Sequence, residues 1–165
     1  MIRSGTPSDL PLLAAIEDSG AETFTRYGAP LADGSPPAPD DQWDAAQAAG
    51  LLWVAEDTET GLIGFLAAER AGSGLYIEEV DVLMEYQQQG HGRRLMQVAI
   101  DWAQAQGLAD VTLTTFTNIP WNAPFYASMG FVQVDGEALT PKLAATLADE
   151  AARGFEDRCG MRLAL

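Results

Sequence analysis

The segment EYQQQGHGRRL, residues 85 to 95, constrains the fold more tightly than any other part of the chain. It lies between an apolar run, LYIEEVDVLM, that reads as a strand and a series that recurs at helical spacing through Gln106: Leu95, Met96, Ala99, Ile100, Trp102 and Ala103. A strand must therefore turn into a helix within a few residues. Gly90 and Gly92 allow that turn, and they let a ligand come close without Cβ interference. The first N–H groups of such a helix have no intrahelical partner, and with the positive end of the helix dipole they suit a pyrophosphate. A glycine-rich turn also serves simply to cap a helix. No Lys-Ser/Thr pair follows the glycines, which excludes a Walker A loop, and the flanking strands and spacing do not fit a dinucleotide-binding fingerprint.

The remaining elements follow from period and punctuation. MIRS opens as a short strand, with Thr6 or Ser8 placed to cap a helix that has proline in its first turn. Leu10 through Phe24 reads as an amphipathic helix, with Leu12, Leu13, Ile16 and Phe24 inside and Glu17, Asp18 and Glu22 outside. Residues 27–42, YGAPLADGSPPAPDDQ, are too rich in proline and aspartate for regular structure, and a stretch of this length is either a functional loop or a surface insertion. WDAAQAAG is a short helix stopped by Gly50. LLWVAED, GLIGFLAAER and LYIEEVDVLM, joined by short polar turns, read as an antiparallel meander. After the helix that ends at Gly107 come the strand DVTLTTFT and a short helix, NAPFYASMG, capped by Asn122 with Pro124 in its first turn. The strand FVQVD, a helix from Pro141 and a last strand, RCGMRLAL, complete the order βααβββαβαβαβ. This predicts an α/β (α+β) fold, with a mixed, mostly antiparallel central sheet of about seven strands flanked by helices, in a single domain over residues 1–165.

Composition narrows the chemistry. With 24 Asp plus Glu against 9 Lys plus Arg, the formal charge is −15. Such a surface repels nucleic acid and anionic membranes and attracts cations, amines among them, although an acidic proteome from a salty habitat would give the same balance. The single cysteine, Cys159, excludes an internal disulfide and a multi-cysteine cluster, and its place in the last strand argues for a packed thiol rather than a nucleophile. His91 is the single histidine, so a histidine-rich zinc site is excluded and no metal is expected. No apolar run of about 18 residues is present. The first apolar residues are interrupted by Asp9, Glu17 and Asp18, unlike a signal peptide, so a cytoplasmic location is expected.

Two motifs carry a resemblance. VLMEYQQQGHGRRLM resembles the acetyl-CoA-binding motif of the GNAT superfamily of N-acetyltransferases, Gln/Arg-x-x-Gly-x-Gly/Ala after a strand, and NAPFYASMGF resembles its second hallmark, a short helix ending in FY-x-x-x-GF. Motif order and element order agree over essentially the whole chain. The resemblance implies a GNAT-like fold and an acetyl-CoA-dependent enzyme. Backbone groups of Val80, Val82 and Leu83 would pair with pantetheine. The loop Gln87, Gln88, Gln89, Gly90, His91, Gly92 and Arg93 would hold the pyrophosphate, with side-chain support from Gln87 and Arg93. Asn122 would come near the cofactor, and Tyr126 would protonate the departing thiolate.

An amine acceptor has to lose a proton before it attacks, and Glu78 and Glu79 are the carboxylates offered by the strand that leads to the loop. Glu78 matches a glutamate proposed as base in the polyamine-acetylating branch of the family and is the first choice, with Asp81 a third candidate. Family members commonly place a basic or small residue before the first glycine. Here all three positions are glutamine, which leaves the phosphate contact to backbone donors. The expected function is transfer of an acetyl group to the primary amine of a small, cationic acceptor in a ternary complex, with Asp33, Asp40 and Asp41 of the long loop near that acceptor. An acyl-CoA-binding sensor and an acetyltransferase of protein amines are the alternatives. Family members are often dimers, so the resemblance also allows a homodimer.

Overall fold

The computed structural model describes residues 1–26 and 41–165. Most of the expected loop at 27–42, including Asp33 and Asp40, lies outside the described residues. Asp41 is exposed, and its carbonyl accepts a bond from Asp44 N at 3.1 Å.

Among the described residues the elements run β1 (Ile2–Ser4), α1 (Leu10–Arg26), α2 (Asp44–Ala48), β2 (Leu52–Asp57), β3 (Gly61–Ala71), β4 (Gly74–Val82), α3 (His91–Ala105), β5 (Asp110–Phe116), α4 (Ala123–Ala127), β6 (Val132–Val134), α5 (Pro141–Ala152) and β7 (Arg158–Ala164). This is the order read from the sequence. The strands form one seven-stranded sheet in the order β1-β2-β3-β4-β5-β7-β6. β1/β2, β2/β3, β5/β7 and β6/β7 pair antiparallel, and β4 runs parallel to β5 through Leu75↔Val111 and Tyr76↔Thr112.

The chain divides into two compact units. The first holds β1, α1, α2, β2, β3 as far as Glu69, β4 from Ile77, and α3 as far as Trp102. Strand alternation in the register Leu52↔Ala67 and Val54↔Phe65 turns these four side chains to one face. Leu13 and Ile16 of α1, with Trp43 and Ala46 at α2, cover them. Each large side chain buried this way contributes roughly 1.5–3 kcal/mol. The helical stripe is narrower than expected, because Leu12 is 51% exposed. In the same unit Trp53 meets Trp102 edge to face at 6.0 Å.

The entrance to α1 also differs from expectation. Thr6 and Ser8 bond to each other through their hydroxyls instead of capping the helix, and Thr6 Oγ1 and N both donate to the buried carboxylate of Asp9. Arg3 clamps that carboxylate with two N–H groups, at 2.7 and 2.9 Å, and reaches Glu56 at 2.5 Å. The Arg3 guanidinium holds the Asp9 carboxyl far below the ordinary carboxylate range. Its stabilisation is therefore present above pH ~4, where an unfolded Asp ionises, and is lost as the pH falls below that. Asp9→Asn is expected to cost about 2 kcal/mol at pH 7, read as a lower urea midpoint with an unchanged slope.

The second unit holds β5, α4, β6, α5 and β7 with the hairpin segment Arg70–Tyr76. Val111, Leu113, Phe131, Leu143, Cys159 and Met161 are among its buried apolar residues. Its enclosed carboxylates are paired with arginines: Arg158 donates to Glu150 at 2.9 and 3.0 Å, and Arg162 donates to Asp110 at 2.8 Å. Burial pushes the Cys159 thiol up, away from the thiolate a nucleophile needs. No helix among the described residues is long and apolar enough to cross a membrane.

Candidate functional site

In the first unit β4 stops at Val82, two residues short of the apolar run's end at Met84, because the chain turns there into a 3-10 turn, Met84–Tyr86. Leu83 N donates to Ile63 O at 2.9 Å, Tyr86 N to Leu83 O at 2.8 Å and Gln87 N to Met84 O at 3.3 Å. The backbone then enters the left-handed region at Gln88 (φ 60°) and again at Gly90 (φ 83°). Glycine meets that demand at no cost at residue 90. At residue 88 a glutamine bears it, at roughly 1–2 kcal/mol. Helix α3 begins at His91, four residues earlier than the first apolar position, so Gly92 lies inside its first turn.

Arg94 N donates to Gly90 O at 3.1 Å, and the N–H groups that precede it are the ones a helix cannot satisfy from within. A Cβ built on Gly92 would meet nothing within 4 Å beyond its chain neighbours and its own helix backbone. The face of this turn is open, as a phosphate-binding turn requires. Arg94 also folds back towards the loop carbonyls, and its Nη2 donates to His91 Nδ1 at 3.1 Å, which puts the ring proton on Nε2. Burial, together with the Arg94 charge, lowers the His91 pKa, so the ring is neutral at pH 7. Arg93 is exposed beside it. Gln87 points elsewhere: its amide nitrogen donates to Val82 O at 3.0 Å and to Thr23 Oγ1 of α1 at 3.2 Å.

The carboxylates of β4 separate into two groups. Glu78 is exposed, whereas Glu79, Val80 and Asp81 are half-buried and Val82 is buried. Asp81 faces α1, where a Cβ on Gly20 would collide with its carboxyl oxygens, and strand alternation puts Glu79 on the same side. Glu17, one helical turn before Gly20, lies on that side of α1 and accepts from Trp43 Nε1 at 3.2 Å. The sequence pattern had put Glu17 outside, but it is half-buried, and burial raises its pKa. Desolvation first, then the Glu79 and Glu17 charges, push the Asp81 carboxyl well above the ordinary range.

The folded protein therefore keeps a proton on Asp81 that the unfolded chain loses near pH 4, and stability from this group falls as the pH rises from there toward the raised value. Asp81→Asn removes the charge and keeps the shape. Its melting temperature is expected to exceed the wild type's by about 3 °C at pH 8, with the gap closing toward pH 4.

In the second unit Tyr126 lies on α4, half-buried, its ring edge-on to Phe125 at 5.1 Å and to Phe131 at 6.0 Å. The turn after α4 closes through Phe131 N to Tyr126 O at 3.2 Å, and Gly130 takes a positive φ of 95°, which explains the glycine of the FY-x-x-x-GF pattern. Asn122 occupies the N-cap position without a side-chain cap bond. Its Oδ1 accepts from Thr115 Oγ1 of β5 at 2.8 Å instead, tying α4 to the sheet.

Sequence reasoning missed Ser19 and Thr23 of α1, and no periodic signal marks them. Gly20 was the available clue, because a glycine in mid-helix is unfavourable unless something approaches closely. No group of three or more His, Cys, Asp or Glu among the described residues is arranged to hold a metal ion.

Residues 15–131 match the family described as acetyltransferase (GNAT). Solved structures of similar fold include the ribosomal-protein-S18-alanine N-acetyltransferase of Escherichia coli (20% identity, 99% of this chain and 92% of that chain, TM-score 0.71). The PaiA N-acetyltransferase of Thermoplasma acidophilum in complex with coenzyme A is another (15% identity, 100% and 98%, TM-score 0.73). A third is Rv2747 of Mycobacterium tuberculosis, solved with CoA (19% identity, 100% and 99%, TM-score 0.71).

Proposed function

Since the chain belongs to the acetyltransferase (GNAT) family and is by that an acyltransferase, we propose that residues 1–165 act as one domain that moves an acetyl group from acetyl-CoA to the primary amine of a small, cationic acceptor. The observation that carries this reading is the open first turn of α3 behind Gly90 and Gly92. N–H groups of the loop and of that turn, from Gln88 to Arg93, bind the pyrophosphate, and the helix dipole favours its charge. Backbone groups of Val80 and Val82 pair with the pantetheine arm. Acetyl-CoA supplies an acyl group activated as a thioester.

Glu78 or Glu79 accepts the proton that leaves the acceptor ammonium. The neutral amine then attacks the carbonyl carbon, the C–N bond forms as the C–S bond breaks, and the Tyr126 hydroxyl gives its proton to the departing thiolate. No enzyme nucleophile is needed, in keeping with the buried, raised-pKa Cys159. The net charge of −15 favours a cationic acceptor.

Initial rates with varied acetyl-CoA and varied amine test the reading. Intersecting reciprocal plots with polyamines or aminoglycosides support direct transfer to a small cation. Parallel plots would point to an acetyl-enzyme intermediate, and activity confined to basic peptides would move the acceptor to protein amines.

A further inference from the structure

The residues that fasten the glycine-rich loop to the rest of the first unit lie on α1. Ser19 and Thr23 are one turn apart on the same helix face. Ser19 Oγ accepts from Met84 N at 2.9 Å, at the start of the 3-10 turn. Thr23 Oγ1, on a residue only 7% exposed, accepts from Gln87 Nε2 at 3.2 Å, just past the turn's end. A hydroxyl has one proton to give, and Gln87 Oε1 (3.4 Å) and Ser19 O (3.5 Å) are its two acceptors within reach. The same Gln87 amide donates to Val82 O at 3.0 Å, closing the last strand carbonyl onto the turn.

The two hydroxyls thus hold both ends of Met84–Gln87, and the next residue is Gln88 in its left-handed conformation. A non-glycine residue stays in that region only when its surroundings over-determine it. The bonds at Met84 and Gln87 supply that constraint immediately upstream.

We propose that Ser19 and Thr23 are positioning residues for the anion-binding loop: through Met84 and Gln87 they fix the path by which the backbone N–H groups of residues 88–93 reach a CoA pyrophosphate. Gln87 is on this view a strut between α1, β4 and the loop, and not a phosphate ligand. The inference rests on the acetyltransferase reading.

Calorimetric titration with CoA and steady-state kinetics test it. Thr23→Val, which keeps the shape and loses the hydroxyl, is expected to weaken CoA binding and raise KM for acetyl-CoA about tenfold, with a much smaller change in kcat and in the amine KM. Thr23→Ser is expected to restore the wild-type value, and Ser19→Ala to show a weaker form of the same split, which serves if Thr23→Val fails to fold. A lower melting temperature with an unchanged KM for acetyl-CoA would make the contact structural only and overturn the inference, while wild-type activity left the function standing. Failure of the wild-type protein to bind CoA at all would overturn both.

Discussion

Gly92→Asp is expected to make the folded protein more stable and at the same time weaken acetyl-CoA binding at least about 100-fold. Both effects arise at one place. A Cβ on residue 92 meets nothing within 4 Å beyond its chain neighbours and its own helix backbone, so the substitution fits the unliganded protein. Aspartate is a slightly better helix former than glycine, by a few tenths of a kcal/mol, and its charge in the first turn adds roughly 0.3–1 kcal/mol through the unsatisfied N–H groups. Those are the groups proposed to receive the pyrophosphate. A carboxylate about 4 Å from a phosphate charge costs roughly 4 kcal/mol at an effective dielectric of 20, more than the 2.7 kcal/mol or so that a 100-fold loss requires. A melting temperature that rises while the CoA-induced shift disappears would identify the turn as the anion site. Unchanged CoA binding would remove it from the site.

Tyr126→Phe is expected to lower kcat about 100-fold, the lower end of the range for a positioned general acid, and to leave CoA binding within a factor of about two. The ring is held edge-on by Phe125 and Phe131, and phenylalanine preserves those contacts, so the variant isolates the hydroxyl. If the phenol protonates the thiolate, amines of every class should suffer alike, and a CoA analogue with a less basic leaving thiol should suffer less. An equal rise in KM for acetyl-CoA with kcat intact would instead make Tyr126 a binding residue.

How far the sequence carried these conclusions depends on the range of the interactions involved. Element order was legible because periods of 2 and 3.6 and the glycines at 50, 90, 107 and 130 act within one or two turns of chain. The ends were less so. Helix α3 starts at His91 and not at the first apolar residue, since Gly92 carries no side chain for periodicity to register. Asn122 is bound by Thr115 of β5, and Thr6 by Asp9, so their polar atoms were not available as caps.

The candidate site divides in the same way. The turn at Gly90 and Gly92 and the tyrosine at 126 stand in contiguous motifs, which is why the sequence alone offers them as candidates. Glu17 could not, because a carboxylate on the outer side of an isolated helix turns inward only when Trp43 arrives from 26 residues away. Ser19 and Thr23 are ordinary helix residues until β4 and the loop pack against them. Glu78, the first choice of base, is exposed, and the half-buried carboxyls on the α1 side are Glu79 and Asp81.

Release of free thiol from acetyl-CoA, followed with polyamines, aminoglycosides, amino acids and basic peptides, tests the central claim most directly. Amine-dependent thiol release, matched mole for mole by acetylated amine and fastest with a small cationic acceptor, is the predicted result. No thiol release with any of these acceptors, while acetyl-CoA still raises the melting temperature, would contradict the enzyme reading and leave a protein that binds the thioester without transferring its acetyl group.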